Sequence, residues 1–410
     1  MRFRIASTRG AVLLPLAALA LSGCGKAGPH TATSSGGPLR KLAPVAAEGA
    51  VSVTTRNTTR VGGATAIDDA AAVARVVYPG LTAGSRPQAV VIANSRLWPA
   101  TLAASLLSGA PLNAPILFAQ GDSLPQVSRE ALEAMRPTGA ATLGAQVIEI
   151  GTRAPVPKPY TVQAVPAGEP AAMAAQIEHL ASLTQTRPPR RAIVVGPAGG
   201  RTAQMPAAGL AAESDSPILW AEGPALPAAT ADVLSALHTP SIYVVNGAGL
   251  SATTLGTLAK LGRVTKVPAT SSGEAASPAT AAIAAARFTD GTFGWGVKDP
   301  GHGLVFANAA RPLDAPAAAL LSATGEYGPL LLLETPGAIA PPLAAYLGDI
   351  QPAYTAAPEF QPVRGVYNHG WLIGDERAIS LATQAELDSL LEISPRKQGG
   401  AEEATVLQAE

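Results

Sequence analysis

The residues able to do chemistry are few and scattered. The five histidines, His30, His179, His238, His302 and His369, include no pair at the helical spacing that brings two imidazoles to one metal. No Gly-x-Ser-x-Gly elbow is present to raise a serine nucleophile. Asp68 and Asp69 are adjacent, which sends their carboxylates to different sides of a helix. They suit a helix N-terminus, where the dipole favours acid, rather than a general acid/base pair. Gly196-Pro197-Ala198-Gly199-Gly200 and Asn246-Gly247-Ala248-Gly249 follow apolar runs, as a nucleotide loop does. Neither has the dinucleotide spacing or the Lys-Ser/Thr of a phosphate loop, so both are expected to be strand-to-helix turns. Arg187, Arg190 and Arg191 surround Pro188 and Pro189 in a basic cluster that suits either a solvated loop or a contact with polymer phosphate. Trp98 and Trp295 lie in loop-like segments, as caps on a core or platforms for a sugar ring. No catalytic residue, metal site or cofactor is expected from these residues.

The elements that would position any site are far more regular. Val91, Ile193 and Val305 each lie 24 residues before a proline. Those prolines open Pro115-Ile116-Leu117-Phe118, Pro217-Ile218-Leu219-Trp220 and Pro329-Leu330-Leu331-Leu332. Leu124-Pro125 and Leu226-Pro227 follow at one distance, and the third copy keeps Ile339 after a one-residue insertion. The chain therefore contains three homologous units, which its 410 residues can accommodate. Within each unit helical patterns alternate with near-continuous apolar runs, which predicts α/β domains with parallel sheets covered on both faces. The Pro-Ile-Leu runs are expected to be central strands, with any ligand beyond the strand C-terminal ends, near Gln120, Asp122, Glu222 and Glu334. The boundaries follow as 51–151, 152–264 and 265–395, with a polar, mobile tail over 396–410.

Charge and the N-terminus constrain the setting. The 29 basic and 29 acidic residues balance, and only 14% of residues are charged, which argues against nucleic acid as a partner. Arg2, Arg4 and Arg9 precede an apolar stretch from Ala11 to Leu21, too short to span a membrane, so residues 1–23 have the form of a signal peptide. Leu21-Ser22-Gly23-Cys24 resembles the lipobox of bacterial lipoproteins, which implies acylation of Cys24 and attachment to the membrane through lipid. An ordinary cleaved signal peptide followed by a chance cysteine is the other reading. Cys24 is the only cysteine, so no disulfide forms within one molecule. Loss of residues 1–23 leaves 26 basic and 29 acidic residues, a net of −3. Residues 24–50, rich in Gly, Ser, Thr, Pro and Ala, suit a flexible linker with a reach of about 25 to 30 Å.

The three units resemble the cell wall-binding repeat type 2 family of Gram-positive surface proteins. The resemblance rests on the opening Arg60-Val61-Gly62-Gly63, read as a turn, and on the helix start Pro312-Leu313-Asp314-Ala315. It rests also on the three Pro-Ile-Leu runs and on the closing Ile242-Tyr243-Val244-Val245-Asn246-Gly247 with Leu250-Ser251 and Trp371-Leu372-Ile373-Gly374-Asp375 with Ile379-Ser380. Asp314 lies 15 residues before Pro329; the same offset gives Ala100 and Thr202 in the other copies. What the resemblance implies is three Rossmann-like or Toprim-like domains in a pseudo-threefold arrangement. It also implies non-catalytic binding of an anionic cell-wall polymer near Pro115, Ile116, Leu117, Pro217, Ile218, Leu219, Pro329, Leu330, Leu331 and Asp314, or a surface scaffold, outside the cytoplasm and facing the wall. The alternative function is an extracytoplasmic solute-binding protein or an envelope enzyme that uses a cleft between units.

Overall fold

The computed structural model describes residues 51–142, 144–186, 190–196, 200–221, 225–245, 249–267, 277–291, 293–323, 328–354 and 367–395. The signal peptide, Cys24, the linker, the tail, Arg187, Glu222, most of both glycine turns and most of the extended 353–366 stretch lie outside the described residues.

The first repeat opens with a hairpin, β1 (Val51–Thr54) and β2 (Thr58–Gly62), followed by α1 (Ala66–Val77). Then come β3 (Val90–Asn94), α2 (Trp98–Ala103) with a 3-10 continuation over Ala104–Ser108, β4 (Ile116–Ala119), α3 (Gln126–Met135) and β5 (Val147–Ile150). The second repeat runs β6 (Val162–Val165), α4 (Pro170–Ser182), β7 (Arg191–Val195), α5 (Gly200–Gln204), α6 (Pro206–Ser214), β8 (Ile218–Trp220), α7 (Ala228–Ala236), β9 (Ser241–Val245) and α8 (Ala252–Leu261). The third runs β10 (Arg263–Val267), α9 (Pro278–Arg287), β11 (Gly303–Asn308), α10 (Asp314–Ala323), β12 (Leu330–Leu333) and α11 (Pro341–Asp349). It ends with β13 (Ala353–Tyr354), β14 (His369–Ile373), α12 (Leu381–Leu391) and β15 (Ser394–Pro395).

Side-chain caps fix where several helices begin. Thr65 and Asp68 form a capping box at α1, and Ser251, Ser277 and Ser380 accept from the backbone N–H three residues on. Asp68 thus serves a helix N-terminus, as its position suggested. Alternation of these helices with buried apolar strands gives the predicted α/β architecture.

The strand order carries the main finding. The three large sheets are β4-β3-β5-β6, β8-β7-β9-β10 and β12-β11-β14-β2-β1, parallel throughout except for the β1–β2 hairpin, and β13 and β15 form a small fourth sheet. The strand that opens each repeat therefore completes the sheet of another repeat. β6 joins the first sheet, β10 the second, and β2 crosses from the far end of the chain to pair with β14 in the third. The helix after each opening strand turns back onto its own repeat: α1 packs on β4, α4 on β8 and α9 on β12. Three units are thus joined cyclically by exchanged strands, and β2 closes the cycle. The first sheet runs across the boundary drawn after 151, since β6 lies beyond it, and the boundary after 264 falls within β10.

Two expectations are corrected by this pairing. Arg60-Val61-Gly62 is strand rather than turn, since it pairs in register with Leu372 and Ile373, and the turn follows it. The Pro-Ile-Leu runs are edge strands; the central positions belong to β3, β7 and β11. Their apolar character comes from cover by neighbouring helices rather than from strands on both sides. Trp98 also differs from its loop assignment, for it is buried at the start of α2.

Candidate functional site

The three Pro-Ile-Leu strands occupy equivalent places at the junctions between units. Pro115, Pro217 and Pro329 lack an N–H and sit just ahead of an edge strand, where the ladder needs no donor from them. Their carbonyls accept from Val91 N, Ile193 N and Val305 N at 2.9, 2.8 and 3.0 Å, so one hydrogen bond is repeated three times. Ile116, Leu117, Ile218, Leu219, Leu330 and Leu331 are all buried. Each edge meets a helix of another repeat: β4 lies by α10, β8 by α2, and β12 by α6. Burial of each such side chain stabilises by about 1.5 to 3 kcal/mol, so these strands bind unit to unit. A polymer at the surface meets none of these side chains.

The C-terminal ends of the central strands carry a polar girdle. Asn94, at the end of β3, donates to Gly151 O at 2.8 Å and accepts from Arg96 N and Gly121 N. Asn308, at the same place on β11, donates to Ala378 O and accepts from Ala310 N, both at 2.8 Å. The next contacts include two that cross between units, through Trp98 and through Thr202. Trp98 Nε1 donates to Gln204 Oε1 at 2.6 Å, Gln204 Nε2 donates to Gly196 O at 2.9 Å, and Thr202 Oγ1 donates to Ala309 O at 3.0 Å. Thr202, found where the family pattern has aspartate, thus joins the second unit to the third.

Asp314 belongs to a charged node that joins the third unit to the first. Arg311 Nε donates to Asp314 Oδ2 at 2.8 Å, and Arg311 Nη2 donates to Asp69 Oδ2. Asp69 Oδ1 accepts from Gly63 N at 2.7 Å. Both carboxyl side chains are fully buried, and Arg311 is 19% exposed. Burial and the neighbouring Asp314 push the Asp69 carboxyl up to about 9, against the pull of Arg311. Burial likewise raises Asp314, to about 6, with Arg311 opposing. The two carboxyls titrate as one pair. Such a dyad has the ingredients of acid/base chemistry, yet backbone closes over it: a Cβ on Gly62 would stand 2.2 Å from Asp69 Oδ1 and 2.5 Å from Gly374 N.

Beside it, Arg60 is 1% exposed and satisfied by neutral oxygens. Its donors reach Gln384 Oε1 at 3.1 Å, Gly374 O at 3.0 Å, Asp375 O at 2.8 Å and Ile379 O at 2.6 Å. Burial lowers its affinity for the proton, an effect that Glu376 and Asp375 oppose. Arg60 therefore rivets β2 to the third sheet. Asp375 is held below the usual carboxylate range: burial pushes it up, but bonds from Arg377 and the Ala378 amide outweigh that.

Outward-facing charge lies on the crests of the first and third units. Asp122 Oδ1 accepts from Arg153 N at 2.8 Å, and Glu334 Oε1 accepts from Ala279 N at 3.3 Å, so both acids are engaged by backbone. Gln120 is exposed and bridges to Ser123. The guanidinium of Arg96 lies over the Gly121 turn, 3.3 Å from where a Cβ would stand. Arg153 follows Thr152, whose hydroxyl donates to Gly121 O at 2.7 Å. Arg96 and Arg153 are both exposed and form no ion pair among the described residues. Sequence reasoning missed this pair. Its only signal was an arginine two or three residues beyond the end of each of two adjacent strands. Arg190 is exposed and Arg191 half-buried, with Arg191 Nη2 donating to Ser214 O at 3.1 Å. Among the described residues no three histidines, cysteines or acids gather as metal ligands, and no helix is long and apolar enough to cross a membrane.

No protein-family model matches the chain, and no curated protein does. Its structure is similar to that of Cwp8 from Clostridium difficile, with a TM-score of 0.60 and 17% identity over 82% of this chain and 52% of that one. It is also similar to Cwp6 from Clostridium difficile, with a TM-score of 0.61 and 17% identity over 84% of this chain and 51% of that one. At this identity the likeness is one of fold, and the chain spans about half the length of each of these structures.

Proposed function

We propose that this chain is a cell-envelope protein held at the outer face of the membrane by lipid on Cys24, and that its three-unit ring is a non-catalytic module for an anionic cell-wall polymer. The observation that carries this reading is the cyclic three-sheet fold, shared with two cell wall proteins. The lipobox-like Leu21-Ser22-Gly23-Cys24 supports the anchor. Arg96 and Arg153, exposed on one crest without ionic partners among the described residues, supply the positive charge such a polymer needs, although the mature chain is slightly acidic overall. The Pro-Ile-Leu strands contribute by holding the crests in place, and Asp314 by locking the junction of the third unit to the first.

Two experiments test the two halves. A palmitate analogue fed to producing cells is expected to label the wild-type chain and not Cys24→Ala; an unlabelled wild type refutes the anchor. The mature protein is expected to co-sediment with purified wall polymer at low salt, and Arg96→Glu/Arg153→Glu to lose most of that retention. Retention unchanged by the double reversal refutes the assigned crest.

A further inference from the structure

The three junctions of the ring are built from different chemistry. The first and second units meet through Trp98 and Gln204. The second and third meet through Thr202 on Ala309 O, and through Tyr243 of β9 stacked on Phe293 at 3.7 Å between centroids. Only the third-to-first junction, among the described residues, buries carboxylates on both sides. Two fully buried acids there share one guanidinium. Asp314 Oδ1 is buried and receives no donor of its own, and Asp69 and Asp314 each spend Oδ2 on the same Arg311 guanidinium. One guanidinium balances only one of two buried carboxylates, so a proton held by the pair neutralises the other.

Among the described residues no other cation in the surroundings replaces that proton. From β2, Arg60 spends its donors on Gln384 and on the carbonyls of Gly374, Asp375 and Ile379. From the turn after β14, Asp375 is paired with Arg377, Asp375 itself adds negative potential at Asp314, and Glu376 lies within electrostatic reach of Arg60. From α1, Asp68 is engaged in the cap of its own helix. We propose that the proton shared by Asp69 and Asp314 is a latch: while seated it holds α1 against α10, and its loss to solvent in alkaline medium loosens this junction and leaves the other two closed.

The sign follows from linkage. A carboxyl raised by folding binds more proton in the closed form than in the open one, so closure is strongest in acid and weakens as pH climbs through neutral toward about 9. Asp314→Asn imitates the protonated state. Its oxygen still accepts from Arg311, and its amide donates toward Asp69 without titrating.

Hydrogen exchange of the intact mature protein from pH 6.5 to 9.5, with times scaled to the intrinsic amide rate, tests this. Protection of segments 58–77 and 314–323 is expected to fall about tenfold relative to 98–108 and 206–214 in the wild type. In Asp314→Asn the ratio is expected to stay flat. A wild-type ratio that does not change with pH overturns the latch, and so does an Asp314→Asn ratio that falls as the wild type does. If Asp314→Asn fails to fold, the wild-type profile still decides.

Discussion

Replacing Arg60 by methionine separates strand exchange from the simpler picture of three self-contained domains. Arg60 is buried and donates to four oxygens, all on β14, the turn after it, or α12. Methionine fills much of the volume but donates nothing, so four buried acceptors are left unpaired. Each unpaired acceptor costs about 1 to 3 kcal/mol, and the guanidinium no longer has to be dehydrated, which returns part of the loss. A net destabilisation of about 3 to 5 kcal/mol follows, the range seen when one partner of a buried charged network is removed. Residues 51–395, at about 2.1 cal/mol/K each, have an unfolding entropy of roughly 0.7 kcal/mol/K. The melting temperature should therefore fall by about 4 to 7 °C if the ring unfolds as one. Location matters as much as size. Hydrogen exchange should accelerate in 369–391, the third sheet and its covering helix, and not in 90–150. Acceleration confined to 90–150, or a melting change below about 1 °C, refutes the assignment of β2 to the third sheet.

Four further substitutions, at three positions, address the other parts of the ring. Gly62→Ala places a Cβ 2.5 Å from the Gly374 amide at a φ of +143°, so a loss above about 3 kcal/mol, or failure to fold, is expected in urea titration. Trp98→Phe keeps the ring in the core but leaves Gln204 Oε1 unpaired, and should cost about 1 to 3 kcal/mol by the same assay. Tyr243→Phe preserves the stack on Phe293 and loses the hydroxyl bond to Asp290, for about 1 kcal/mol. Tyr243→Ala also removes the packing and should cost about 3 to 5 kcal/mol.

The repeats were legible because the 24-residue spacing is built into the fold: it spans the inner strand, the helical segment after it and the return to the edge strand. α1 and α12 were legible from their caps, and α1 and α3 from a one-sided apolar face. The helices α5 and α6 were not anticipated as such, since α6 is buried nearly all round and has small residues on every side. The opening strands were missed for the opposite reason. β6 and β10 are half-exposed and only 4 and 5 residues long, so neither periodicity nor hydrophobicity sets them apart. Strand order was also hidden, because an apolar run looks the same whether a strand or a helix covers it. The node was beyond sequence reach for a simpler cause: Asp69 and Arg311 are 242 residues apart, and only the exchanged strand brings them together.

The central claim is that the ring presents its charged crest to an anionic wall polymer. The most direct measurement compares retention of the mature Cys24→Ala protein, which carries no lipid, on purified wall polymer and on the same material stripped of its anionic groups. The account predicts retention on the intact polymer, falling as salt rises from about 50 to 500 mM, and little on the stripped material. Equal retention on both, or none on either, would contradict it.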